Sequence, residues 1–118
     1  MGTYIFLCDP ATEQECLQSR LAGTTQENAI WALELHPGDT LFIYNFRSGL
    51  IHGPLVASTA TDCHEPQAWG GRFPIQVRFD LGENFRSFQA SEFASSATLK
   101  LLRRGGPLTT IAKNELLS

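Results

Sequence analysis

The chain has 118 residues, 42% of them hydrophobic and 18% charged, with a net charge of −3 and a pI of about 5.5. These proportions fit a single globular domain over residues 1–118 and exclude a disordered chain. No apolar run reaches the ~20 residues of a membrane span, and the acidic balance excludes a general polyanion binder.

Thr3–Cys8 (TYIFLC) is β-branched, aromatic and apolar, which predicts a buried strand. Asp9-Pro10 reads as a cap and a first helical residue. A helix is expected from Pro10 to about Ala22, with Cys16, Leu17 and Leu21 as its stripe and Gly23 as terminator. Thr24 or Thr25 caps a second helix to about Leu35. Ile30 and Leu33 share one side of it, and Trp31 and Leu35 the adjoining side, with Trp31 expected in the core. His36–Asp39 is a turn. Thr40–Phe46 and Leu50–Ser58 form a hairpin across Arg47-Ser48-Gly49. Gly53-Pro54 inside the second of these strands demands a bulge or an edge.

Thr59–Gly71 is a long loop of the kind that carries function. Pro74–Leu81 alternates apolar and polar residues and is the clearest strand. Gly82–Ser96 reads as loop and short helix, and Thr98–Leu102 as a short strand or helical turn. Leu108–Ile111 reads as a last strand, and Asn114–Ser118 as the start of a helix that hints at a longer chain. The pattern predicts an α+β fold: a small mixed sheet curled into a barrel and flanked by short helices.

The chemistry of the chain points to binding rather than catalysis. Cys63 and His64 are neighbours in an extended loop, so their side chains diverge and form no ready nucleophile pair. Cys8, Cys16, Cys63, His36, His52 and His64 lack paired metal-ligand spacing. No enzyme activity, metal or cofactor is expected. Three cysteines and an N-terminus without a basic stretch or cleavage pattern predict reduced thiols in the cytoplasm or nucleus. Residues 1–60 carry two basic and six acidic side chains, and residues 61–118 seven basic and six acidic. That gradient places a modest positive potential in the second half.

Three segments, YIFLCDPATEQECLQSRLAGTT, PGDTLFIYNFRSGLIHGPLVAS and WGGRFPIQVRFDL, together resemble the development and cell death (DCD) domain. The run GGRFPIQVRF is the most specific of the three. DCD domains are in turn similar to the PUA-like superfamily, which includes the YTH and EVE domains. The stretch from Thr25 to Asn28 resembles the T-x-x-N element of those relatives, and Gly23 stands where the YTH pattern has a cage tryptophan.

The resemblance implies a PUA-like barrel. It also implies a pocket, between the end of the first strand and the start of the second helix, that accepts one base, modified or plain, flipped out of RNA or DNA. Such a pocket needs stacking surfaces and groups that read the base edge. Trp69 and Tyr44 are the expected stackers; Trp69 serves either as a lid or as an anchor of its loop. Asn45 either reads an edge or closes the hairpin. Cys8 and Asp9 end the first strand, Asp9 as edge reader or helix cap. Thr24, Thr25 and Asn28 offer polar groups at a helix start. Arg72, Arg103 and Arg104 are the expected phosphate grips. DCD proteins of the plant type are associated with stress and cell death, which implies the alternative of a protein-interaction module with no nucleic-acid ligand.

Overall fold

The computed structural model describes residues 2–61 and 65–117, so Cys63 and His64 lie outside the described residues. Six strands form one mixed sheet, in the order β2-β5-β4-β3-β1-β6. They are β1 (Thr3–Cys8), β2 (Leu21–Thr24), β3 (Thr40–Asn45), β4 (Leu50–Ala57), β5 (Ile75–Gln89) and β6 (Gly106–Pro107). Four short helices accompany them: α1 (Glu13–Ser19), α2 (Ala29–Ala32), α3 (Ser96–Arg104) and α4 (Thr110–Leu117). β1 and β3 run parallel, from Thr3 opposite Thr40 to Cys8 opposite Asn45, and the other pairs are antiparallel. The sheet curls into a half-barrel.

The apolar runs of β1 and β3 follow from their central place, where both faces of the sheet are covered. Tyr4, Phe6 and Cys8 of β1 and Leu41 and Ile43 of β3 face a core shared with Cys16 of α1, Leu35, Val77, Phe79 and Trp69. Ile5, Phe42 and Tyr44 point the other way, into a core with Ile51, Phe88, Leu102 of α3 and Leu116 of α4. Trp31 packs on the first core as expected, stacked on Tyr4 at 5.9 Å and edge-on to Phe6 at 5.3 Å.

Several elements depart from the sequence reading. α1 ends at Ser19, where Arg20 turns left-handed (φ 55°), and the next four residues become β2. Pairing with β5, Leu21 opposite Arg78 and Thr24 opposite Ile75, buries Leu21 and Ala22 and overrides their helical propensity. β5 continues through Gly82 to Gln89, pairing Ile51 with Phe88 and His52 with Ser87. Between these pairings β4 shifts register at Gly53/Leu55, which is the irregularity that Pro54 demands in an interior strand. Residues 96–104 form a helix capped by Ser95, whose Oγ accepts from the Thr98 N–H at 3.2 Å. α4 begins at Thr110, inside the stretch read as a last strand.

Candidate functional site

The end of β1, the end of β2 and the turn before α2 converge on one side of the half-barrel. They enclose a cavity of about 240 Å3 lined by Leu7, Cys8, Asp9, Thr12, Gly23, Thr24, Thr25, Asn28, Phe46, Arg72 and Phe73. The parallel pairing of β1 with β3 carries Phe46 to the mouth, where its ring is 47% exposed.

Each wall has a local cause. Asp9 closes the turn into α1: its Oδ1 accepts from the N–H groups of Ala11 at 2.9 Å and Thr12 at 3.0 Å. Burial works to raise the Asp9 pKa, but the hydrogen bonds from Thr12 and Ala11, with the Arg72 guanidinium 3.7 Å away, outweigh it and hold the group below its ordinary value. The Asn28 amide donates to Thr24 Oγ1 at 2.7 Å, which ties the turn before α2 to the end of β2. The run GGRFPIQVRF forms the remaining wall. Fully buried Gln76 accepts from the Glu65 N–H at 2.6 Å and donates to the carbonyls of Glu65 (3.1 Å) and Phe73 (2.9 Å), clamping the loop onto β5. Phe73 stands edge-on to Trp69 at 5.1 Å. Two guanidinium groups lie over the two aromatic walls, Arg47 over Phe46 at 5.9 Å and Arg72 over Phe73 at 5.3 Å.

The structure brings Cys8, Asp9, Thr24, Thr25, Asn28 and Arg72 to this cavity and leaves the other expected residues outside it. Tyr44 is buried in the second core among Phe42 and Ile51, so its ring has no open face for a base. Asn45 is 1% exposed, and its Oδ1 accepts from the N–H groups of Arg47 (3.0 Å) and Ser48 (3.1 Å), the hairpin-closing role. Trp69 is 8% exposed and anchored in its loop: its backbone N–H donates to Glu15 Oε2 at 2.9 Å. Its indole N–H is buried with no hydrogen-bond partner among the described residues. Arg103 and Arg104 are exposed on the last turn of α3, away from the lining, although the Gly105 that ends α3 packs on Leu7. Arg78 pairs with Glu65 along a separate cavity.

Sequence reasoning missed Thr12, Phe46 and Phe73 as walls. Phe73 carried a signal, since it follows the glycine pair and arginine of the most specific motif.

The described thiols are poor nucleophiles. Burial pushes Cys8 far above the ordinary range and Cys16 up to about 12, so neither is a thiolate near neutral pH. Among the described residues no group of three or more His, Cys, Asp or Glu side chains is placed to hold a metal ion. His52 is instead held between Ser87 Oγ on Nδ1 (2.6 Å) and Glu13 Oε2 on Nε2 (2.7 Å), linking β4 to β5 and α1.

The development and cell death domain profile matches residues 2–100. The chain belongs to the DCD family. It is 34% identical to the B2 protein of Daucus carota over 86 residues, which cover 66% of this chain and 42% of that protein. The DCD domain-containing proteins NRP-B and NRP-A of Glycine max are 33% and 31% identical over the same length, covering 66% of this chain and 26% and 23% of theirs. This DCD chain therefore spans less than half the length of each of these relatives. The GGRFPIQVRF segment lies inside the matched region, and here it supplies Arg72 and Phe73 to the cavity lining.

Proposed function

We propose that this DCD domain is a binding module that accepts a single nucleobase of RNA or DNA in the cavity between β1, β2 and α2. The observation that carries the proposal is the convergence of two aromatic rings, Phe46 and Phe73, with the polar groups of Asp9, Thr24, Thr25 and Asn28 around about 240 Å3. Base–aromatic stacking contributes roughly 1–3 kcal/mol per base. Phe46 at the mouth and Phe73 in the wall take the stacking role in place of Tyr44 and Trp69. The Asp9 carboxylate and Asn28 Oδ1 are acceptors, so the cavity favours a base edge that carries an amino donor. Arg72 over Phe73 and Arg47 over Phe46 meet the adjoining phosphates, with Arg103 and Arg104 as outer contacts.

Fluorescence anisotropy with short RNA and DNA oligonucleotides, plain and base-modified, tests the reading. Saturable binding is expected, with a shallow salt slope because few phosphates are held. Phe46→Ala and Asn28→Ala are expected to abolish base discrimination, and Arg72→Ala to weaken all oligonucleotides alike. Equal binding by the Phe46 and Asn28 variants would overturn the assignment.

A second reading, a protein-interaction module in stress signalling, is favoured by the acidic balance of residues 1–60. Absence of binding to every oligonucleotide near 50 mM salt, a condition under which phosphate contacts are strong, would shift the conclusion to it.

A further inference from the structure

The segment around α2 is apolar on two sides, and only one of them is covered. Ala32 and Leu35 are buried and Trp31 packs on Tyr4 and Phe6, so these residues hold the segment to the sheet. Ile30 and Leu33 point away and are 85% and 71% exposed. With Ile111 they are the most exposed large apolar side chains among the described residues, and the Leu33 N–H donates to the Ala29 carbonyl at 3.1 Å, so the helical turn carries Leu33 beside Ile30. A helix apolar on all sides is ordinarily buried on all sides.

Charge marks the edges of this patch. Glu27, in the 3-10 turn before α2, precedes it and Glu34 follows it, and both are exposed. Among the described residues neither carboxylate has an ion-pair partner. The chain from Leu21 to Phe46 contains no Lys or Arg. An acidic rim repels a phosphate backbone, so this face does not suit the nucleic acid proposed for the cavity. It suits an amphipathic partner whose apolar side chains cover Ile30 and Leu33 and whose cations meet Glu27 and Glu34.

We infer that the outer face of α2 is a docking surface for a basic amphipathic helix of a partner protein. The inference is independent of what the cavity binds. Ile30 and Leu33 would supply the apolar centre, and the two glutamates the orientation and the on-rate. The patch is small, so the complex is weak and transient.

The test uses the full chain and a fluorescently labelled leucine–lysine peptide with leucines at i, i+3, i+4 and i+7. Anisotropy titration is expected to saturate and to weaken with added salt. Ile30→Asp and Leu33→Asp should each weaken binding by about tenfold or more, and the double change Glu27→Lys with Glu34→Lys should do the same. The exposed sites make these variants fold normally, checked by an unchanged urea midpoint. No binding, equal binding by the variants, or equal binding of a scrambled peptide without the helical spacing would each overturn the inference. So would concentration-dependent self-association in sedimentation that Ile30→Asp abolishes, because the patch would then belong to a second copy of this chain.

Discussion

The six-membered ring of Trp69 lies against the Cα of Gly23, so close that a β-carbon there would sit 2.7 Å from it and 2.9 Å from Phe73 Cβ. Trp69 reaches this position with a left-handed backbone (φ 49°), a conformation that costs of order 1–3 kcal/mol for a non-glycine residue and persists only when its surroundings fix it. Gly23→Ala is therefore expected to push Trp69 and Phe73 outward and to cost about 1–3 kcal/mol. Urea unfolding checks the loss, and a red shift of tryptophan emission checks the displacement.

Gln76 gives a second prediction. Its fully buried amide satisfies three backbone groups of Glu65 and Phe73. Gln76→Leu keeps the size and strands those groups, at about 1–3 kcal/mol for each one left buried and unpaired. The loop before Phe73 should lose protection from hydrogen exchange before the rest of the sheet does.

His52 gives a third. Removing one partner of a buried polar pair leaves the other unsatisfied. Glu13→Ala leaves the buried His52 Nε2 without its carboxylate, and is expected to destabilise by about 1–3 kcal/mol. Ser87→Ala acts on an exposed hydroxyl and is expected to cost less, since water can replace it. Thermal denaturation of both variants measures the order.

Asp9 gives a dependence on pH. Its folded pKa lies below the ordinary value, so the folded state binds fewer protons there than the unfolded chain does. The contribution is present above the ordinary aspartate pKa of about 3.9 and is lost as pH falls through the lower folded value. The difference in urea midpoint between the native chain and Asp9→Asn should thus be constant from neutral pH to about 5 and shrink below about 4. A difference that grows on acidification would contradict the capping and Arg72 contacts.

The thiols give a fifth. Cys8 and Cys16 are buried with raised pKa values, so in a Cys63→Ser background they should react with an aromatic disulfide reagent only as fast as the protein opens. Rapid labelling of the native protein would show that the floor of the cavity is accessible and reactive.

Much of the sheet was legible in the sequence, for physical reasons. β1 and β3 are unbroken apolar runs, Pro54 can only sit at an irregularity, and Pro74–Leu81 alternates cleanly. β2 was not legible, because LAGT has little intrinsic strand preference and is a strand only through its pairing with β5. Gly82–Ser96 read as loop and short helix, yet β5 continues to Gln89 with Asn84 at a positive φ of 61°. Around α2 the sequence placed Trp31 in the core, where it packs with buried Leu35, while Ile30 and Leu33 on the adjoining side face solvent.

At the site, the end of β1 and the turn before α2 meet around one cavity, where the family resemblance implied a pocket, and the end of β2 joins them there unannounced by the sequence. The aromatic walls were misassigned. Tyr44 and Phe46 read as parts of one strand, but β3 ends at Asn45, which leaves Tyr44 in the core and Phe46 beyond the strand end, half exposed. Trp69 looked available because it lies in a loop, but its loop folds inward over α1 and fills the space beside Gly23.

The proposed base pocket is tested most directly by titration of the labelled protein with short amine-bearing and amine-free oligonucleotides, followed by amide chemical shifts. The account predicts saturable shifts at Asp9, Thr24, Thr25, Asn28, Phe46 and Phe73, larger for adenine- or cytosine-containing strands. Shifts confined to Ile30, Leu33 and their neighbours, or none at all, would contradict it.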